Sequence, residues 1–401
     1  MKKNIVIICL ALLSSMNMNG QELYENIYQW KIPGGNYIDP TSFFSLHGYV
    51  NAVFGGESKE WTLGHMNAMG MPGQVLIPNT NKNSFQTDEA LWISSEISEK
   101  TSLLMEIHLV TDPSGKGAAG PGGLTFVLTE ANVKFKLFKN LANVSVGTFW
   151  NPFGIHNNDW LGAQNLFTII PYASSAYPTH YNEKGIRIDG YFGQKKKVGV
   201  NYVVSIGNGY NAWDISGYQA VDLNDNQTIS ARVSVFPYLK DKLNVGFSFA
   251  QGSLMDGDTA ISDSFALHYD NAFQSMGMDL IFKWENLKLR SYLISTARTY
   301  KSDNLSINTA NFGFMSELSY ELMLKKMKGL KSVVPKIRYD YGSIGLFHLL
   351  NSGEEEFTSI SFGFNIHLNE SFYISADYNL LTESANKLDN DRLIIRVSAN
   401  F

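Results

Sequence analysis

The feature that most constrains the fold is an alternation of apolar and polar residues with a period of two. In residues 357–368, small or polar residues separate five apolar ones, which are Ile360, Phe362, Phe364, Ile366 and Leu368. Such alternation is typical of a β-strand with one apolar and one polar face. The same period recurs in sixteen segments, which are 43–54, 86–98, 101–110, 126–138, 140–149, 185–192, 196–207, 226–236, 243–252, 270–284, 286–296, 308–323, 332–343, 356–368, 371–382 and 391–401. The sequence therefore predicts an all-β chain.

The regularity of the alternation differs between segments. It is weakest in 140–149, 185–192 and 286–296. In segment 126–138 the period places Leu128 on the polar face with Glu130 and Asn132. After residue 20 no stretch holds the roughly 18 apolar residues that a transmembrane helix needs, so strands would have to make any membrane crossing.

The connections between these segments alternate between short and long. The long ones are predicted at 55–85, 111–125, 150–184, 208–225, 253–269, 297–307, 344–355 and 383–390. This arrangement is typical of an outer-membrane barrel, in which short turns face the periplasm and long loops face outside. Because lipid cannot hydrogen-bond the backbone, such a sheet must close. We therefore predict a transmembrane antiparallel β-barrel of about sixteen strands, located in the cell outer membrane.

The N-terminus predicts export. Lys2 and Lys3 precede the apolar stretch 5–13, so residues 1–20 are interpreted as a signal peptide. Residues 21–42 are predicted to be a periplasmic lead-in segment, the alternative being that they lie in the barrel mouth, and residues 43–401 are predicted to be the barrel. The single cysteine, Cys9, lies within the signal peptide, which excludes disulfide and thiolate chemistry afterwards. Removing the two lysines leaves 30 basic against 37 acidic residues, and this negative balance argues against nucleic-acid binding.

The third long connection, 150–184, is too apolar to extend freely into water. We expect it to fold into the lumen and narrow the pore, the alternative being that it packs outside against other loops or another subunit. Connections of this length within a compact fold are usually functional. The residues predicted to line the narrowing are Asn157, Asn158, Asp159, His180, Tyr181 and Lys184.

Charges on the inward face follow from the strand period. Eleven basic and ten acidic residues are predicted to face the lumen. A ring of one sign selects ions of the opposite sign, so this mixed lumen predicts weak selectivity, with opposite charges paired across strands. If a path for anions exists, its candidate residues are Arg187, Arg232, Arg290, Arg338 and Arg396.

Two short motifs resemble a known family. Residues 146–154, VGTFWNPFG, resemble the strand-to-loop passage of the phosphate-selective porin O/P family, and residues 183–190, EKGIRIDG, resemble its return strand. The resemblance implies a sixteen-stranded, trimeric, passive porin. The last residues, DRLIIRVSANF, resemble the end signal of bacterial outer-membrane proteins, which implies that the barrel-assembly machinery recognises Phe401.

The sequence leaves two functions open. The first is a porin through which small hydrophilic solutes or ions diffuse passively. The alternative is a barrel with a closed pore that acts as a surface adhesin, receptor or assembly scaffold. His47, His108 and His367 fall on inward faces without a serine motif, so no catalytic residues and no enzyme activity are predicted. No cofactor or metal site is predicted, and the Met-rich loop 65–71 is interpreted as a flexible surface loop.

Overall fold

Sixteen antiparallel strands form one sheet. The computed structural model describes residues 45–57, 60–61, 77–78, 83–111, 124–138, 141–155, 165–176, 182–193, 198–209, 227–237, 242–262, 265–302, 305–324, 327, 329–346, 353–384 and 391–401. The strands are β1 (Ser45–Glu57), β2 (Asn83–Ser98), β3 (Thr101–Thr111), β4 (Leu124–Lys136), β5 (Asn143–Trp150), β6 (Asn182–Gly193), β7 (Gly199–Gly207), β8 (Thr228–Phe236), β9 (Leu243–Ser262), β10 (Phe265–Trp284), β11 (Leu287–Ser302), β12 (Leu305–Tyr320), β13 (Ser332–Leu346), β14 (Gly353–His367), β15 (Phe372–Glu383) and β16 (Arg392–Asn400). After a break at Glu321, Leu322–Met323 continue β12 and pair with β13. The predicted set of sixteen strands is confirmed.

The sheet closes on itself. Each strand pairs with its neighbours in the chain, and β16 returns to β1, with pairs from Tyr49↔Asn400 to Glu57↔Arg392. Beyond this register, the main chains of Gly48 and Phe401 exchange two hydrogen bonds of 3.0 Å. A closed barrel leaves no unpaired sheet edge in the part of the chain that would face lipid.

The barrel has apolar side chains on its outer face and polar ones on its inner face, the reverse of a soluble protein. In β14 the outward Ile360 and Phe362 are 41% and 46% exposed, whereas the inward Ser359 and Ser361 are buried. Large apolar side chains on the other strands, among them Val50 and Met276, also face outward. This surface suits a lipid environment. Among the described residues, no helix is long and apolar enough to cross a bilayer.

Two connections are much shorter than predicted. Strands β9 and β10 reach Ser262 and Phe265, and β11 and β12 reach Ser302 and Leu305. The predictions of long loops at 253–269 and 297–307 are therefore wrong. Strands of 16 to 20 residues exceed the 9–11 or so needed to span a bilayer, so these hairpins project beyond it. Outside the lipid both faces meet water, and the period-two signal is no longer required.

A β-bulge corrects one predicted orientation. The register moves from Glu106↔Glu130 to Ile107↔Leu128 and leaves Thr129 without a partner in the ladder. The extra residue reverses the alternation beyond it. Leu128 is consequently outward and 47% exposed, not inward as predicted. Residues 1–42, which hold the predicted signal peptide and lead-in segment, lie outside the described residues, as does the Met-rich loop 65–71.

Candidate functional site: the inward segment and its wall

The connection between β5 and β6 enters the lumen, as predicted. We call its described parts, 151–155 and 165–176, the inward segment. At its start the Asn151 amide donates hydrogen bonds to Ser230 Oγ (2.7 Å) and Glu183 Oε2 (3.3 Å). The main-chain N–H of Gly154 then donates to Ser248 Oγ at 2.9 Å. Ser230 and Ser248 are inward residues of β8 and β9, so the segment turns at once onto the inner wall.

Apolar contacts hold the next part of the segment. Phe153 is fully buried, and burying a side chain of this size contributes roughly 1.5–3 kcal/mol. Two inward glycines let the segment come close, because a Cβ at Gly277 would lie 2.9 Å from the Phe153 ring, and one at Gly313 would lie 2.1 Å from the Ala173 carbonyl oxygen. The cluster comprises Phe153, Ile155, Ala173, Ala176, Ala250, Phe273, Tyr292, Ile294 and Met315.

Two wall carboxylates accept hydrogen bonds from the second part of the segment. Asp340 on β13 accepts from the main-chain N–H of Tyr172 and from that of Ala173, the latter at 2.7 Å. These donors lie at the first turn of a short 3₁₀-helix, Tyr172–Ala176. Asp377 on β15 accepts from the main-chain N–H and from the hydroxyl of Thr168, both at 2.8 Å. The carboxylates therefore satisfy N–H groups that would otherwise be buried without partners.

Three wall cations donate to carbonyl groups of the same stretch. The donors are Lys336 to Leu166 O (2.6 Å), Arg338 to Ile169 O (2.9 Å) and Arg396 to Asn165 O (3.0 Å). The ring of Phe167 also lies 4.6 Å from Lys336 Nζ and 4.7 Å from Arg338 Cζ, within the range of cation–π attraction. Hydrogen bonds from charged groups contribute about 1.5–3 kcal/mol each, so the anchoring is strong.

The structure places the predicted arginines on the inner face but not all in the same environment. Arg338 and Arg396 are 0% and 1% exposed because the inward segment covers them. Arg232 and Arg290 are also buried. Arg187 is the most open of the five, with 17% of its side chain exposed, and it lies 5.1 Å from the Phe149 ring centroid. The predicted arginines therefore lie on the inner face of five different strands, β6, β8, β11, β13 and β16, and most of them are removed from water.

The remaining predicted lining residues divide into two groups. Lys184 lies on β6, half-buried, opposite Thr148 of β5, and it shares the outward face of Ile186 and Ile188, so it does not face the lumen, contrary to the prediction. Asn157, Asn158, Asp159, His180 and Tyr181 lie outside the described residues.

Opposite charges are paired along the wall. Arg232 Nε and Nη2 bind both oxygens of Asp279, at 3.0 and 2.6 Å. Gly246 lies between them on β9, where a Cβ would stand 2.4 Å from Asp279 Oδ2, so glycine lets the pair form over an intervening strand. Arg290 and Glu317 pair directly across β11 and β12 at 3.2 Å.

A further polar cluster was not predicted from the sequence. His108 Nε2 lies 2.5 Å from Glu106 Oε1, and the Trp150 indole N–H donates to Glu106 Oε2 at 2.9 Å. All three side chains are buried. Trp150 is the last residue of β5, so the cluster fixes the point from which the inward segment leaves. The spacing of Glu106 and His108, two apart on one strand face, was the available signal.

Known proteins resemble this barrel in fold but not in sequence. No protein-family model and no curated protein matches the chain. Among solved structures, the outer membrane channel DcaP of Acinetobacter baumannii is similar with a TM-score of 0.58 and 10% identity, over 89% of this chain and 97% of that one. The trimer form of OmpT, an outer membrane protein of Vibrio cholerae, has a TM-score of 0.54 and 10% identity, over 89% and 99%. An anion-selective porin from Comamonas acidovorans has a TM-score of 0.50 and 12% identity, over 89% and 99%. The chain has the fold of the outer-membrane porins.

Proposed function

We propose that the protein is an outer-membrane porin through which small hydrophilic solutes or ions diffuse passively, and not an enzyme. The observation that carries this proposal is the inward segment, which a closed sixteen-stranded barrel holds against the inside of its own wall. A barrel of this strand number is wide enough for an aqueous channel. A segment that crosses the lumen would set the width of that channel.

We propose that the channel is weakly selective. The paired charges of the wall, such as Arg232 with Asp279 and Arg290 with Glu317, offer little net field to a passing ion. Arg187 is the proposed solute contact among the described residues, because it is inward and the most open of the predicted arginines. Asn157, Asn158, Asp159, His180 and Tyr181 remain proposed lining residues. Arg338 and Arg396 would act on the channel by holding the inward segment in place.

A relationship to the phosphate-selective O/P family is part of the proposal, supported by the motifs at 146–154 and 183–190. Arg338 and Arg396 are both buried beneath the inward segment. If a solute is to bind either arginine on its way through the channel, the inward segment must therefore move. A homotrimer is proposed by analogy with the trimer form of the Vibrio protein. Recognition of Phe401 by the assembly machinery, and export by residues 1–20, complete the proposal.

Single-channel recording tests it. The folded barrel would be added to a planar bilayer with a salt gradient across it, and heat-unfolded protein would serve as the control. We expect stable openings from the folded sample alone, with a reversal potential close to zero because cations and anions pass at similar rates. A folded barrel that never opens would contradict the porin proposal.

A second function, a closed-pore adhesin, receptor or scaffold, is favoured by one observation. Inward side chains on the first two strands are also buried, including Tyr49 and Asn51 on β1 and Trp92 on β2. An interior covered this extensively fits a barrel that does not conduct. The same recording separates the two functions.

A further inference from the structure

The two ends of the barrel carry opposite charge. The connections at the end where most turns are short are 99–100, 137–142, 194–198, 237–242, 285–286, 321–331 and 368–371, and they contain eleven lysines and five acidic residues. The connections at the other end are 58–82, 112–123, 151–181, 208–227, 263–264, 303–304, 347–352 and 384–391, and they contain four lysines and ten acidic residues. Neither set contains an arginine. The short-turn end is therefore positive, although the whole chain has a net charge of −5.

The described lysines at this end are accessible. Lys100 and Lys242 in the turns are exposed. Lys331 is half-buried and lies 3.2 Å from the exposed carboxylate of Glu370, a contact that water screens.

Large apolar side chains accompany the lysines on the outer surface. Phe138, Trp284 and Met327 are 68%, 55% and 59% exposed at the same end. Aromatic residues at this position form the girdle that lies at the level of lipid headgroups. Lys242 Nζ lies 5.1 Å from the centroid of the Trp284 ring, so its ammonium group is at headgroup level as well.

We propose that the short-turn end of the barrel binds the anionic headgroups of the phospholipid leaflet that surrounds it. The exposed ammonium group of Lys242 beside the Trp284 ring matches the charge and the depth of a phosphate layer, and a lysine-rich end attracts anionic lipid surfaces. The acidic opposite end has no such preference. The proposal requires that the barrel is inserted in a bilayer, as the proposed function does, but not that it conducts, so a barrel without conductance leaves it standing.

Spin-label measurements test the proposal. The barrel would be reconstituted into phosphatidylcholine bilayers containing a trace of spin-labelled phosphatidylglycerol or spin-labelled phosphatidylcholine, and the immobilised fraction of each label would be compared. We expect the anionic label to be enriched by at least about twofold at low salt. The enrichment should approach unity near 0.5 M salt, where the screening length is only about 4–5 Å.

Two variants with equal changes in net charge give the matched control. The first carries Lys100→Gln, Lys242→Gln and Lys331→Gln at the short-turn end. The second carries Lys59→Gln, Lys82→Gln and Lys116→Gln in the long connections. Folding of both is checked by the mobility of unheated and heated protein on a denaturing gel. The proposal expects the first variant alone to lose enrichment. No preference in the unmodified barrel, or equal losses in both variants, would overturn it.

Discussion

The main chain of Gly313 on β12 lies directly against the carbonyl group of Ala173 in the inward segment. A Cβ atom at Gly313 would stand 2.1 Å from that oxygen, far inside van der Waals contact. The wall and the segment therefore fit together only because this position has no side chain.

Gly313→Val should displace the inward segment. The added atoms meet a backbone carbonyl that cannot rotate away, and overpacking of this kind costs about 1–3 kcal/mol. We expect higher or noisier single-channel conductance with an unchanged barrel signal in circular dichroism. Gly55→Val is the matched control, because the nearest atom to a Cβ there is 3.8 Å away. Equal conductance in both variants would count against a tight fit at Gly313.

Removing the two carboxylate anchors should free the second part of the segment. Asp340 and Asp377 together accept four hydrogen bonds from residues 168–173. Each such bond contributes about 1.5–3 kcal/mol, so Asp340→Ala with Asp377→Ala should shift the segment from docked to undocked. The expected readout is increased conductance and faster proteolytic cleavage between residues 156 and 181. Asp391→Ala, which removes a carboxylate at the barrel end that bonds Leu381 and Tyr378, is the control and should leave both readouts unchanged.

The Arg232–Asp279 pair should behave as a coupled unit. Both side chains are buried, so removing one partner leaves an uncompensated charge and costs about 3–5 kcal/mol. Arg232→Met and Asp279→Val should each lower the free energy of unfolding in urea, and the double variant should recover much of the loss. Strict additivity of the two single changes would show that the pair makes no specific contribution.

Closure of the barrel should depend on Gly48. A Cβ there would lie 2.6 Å from the Phe401 ring and 2.7 Å from the carbonyl oxygen of Ala90. The ring can move but the carbonyl cannot, so Gly48→Val should lower the yield of folded barrel in detergent, and adding Phe401→Ala should restore it only in part. Full recovery in the double variant would mean that the ring alone is responsible.

The sequence predicts the strands because lipid and water impose opposite requirements on alternate residues. It fails where that contrast ends. Beyond the bilayer, around Ser262 and Ser302, water bathes both faces and the pattern disappears, although the strands continue. At Thr129 one extra residue reverses the alternation, and no composition signal marks the reversal.

At the candidate site, too, the alternation pattern predicts only part of the structure. The strand period assigns Arg338 and Arg396 to the inner face, where the structure places them, but it cannot show that the inward segment covers them. The weak alternation in segment 286–296, which forms β11, has a structural cause. Its inward Tyr292 and Ile294 are apolar because they contact the segment, while Leu293 faces outward, so both faces of the strand are apolar at this point.

The wall holds residues 165–173 largely through main-chain groups. Asp340, Lys336, Arg338 and Arg396 all bind N–H or C=O groups there, and Asp377 adds one more main-chain contact. Every residue type except proline offers the same groups. The side chains of this stretch can therefore change during evolution, or by design, without loss of these anchors. The chemistry of the lumen surface and the barrel architecture can diverge independently in such a protein.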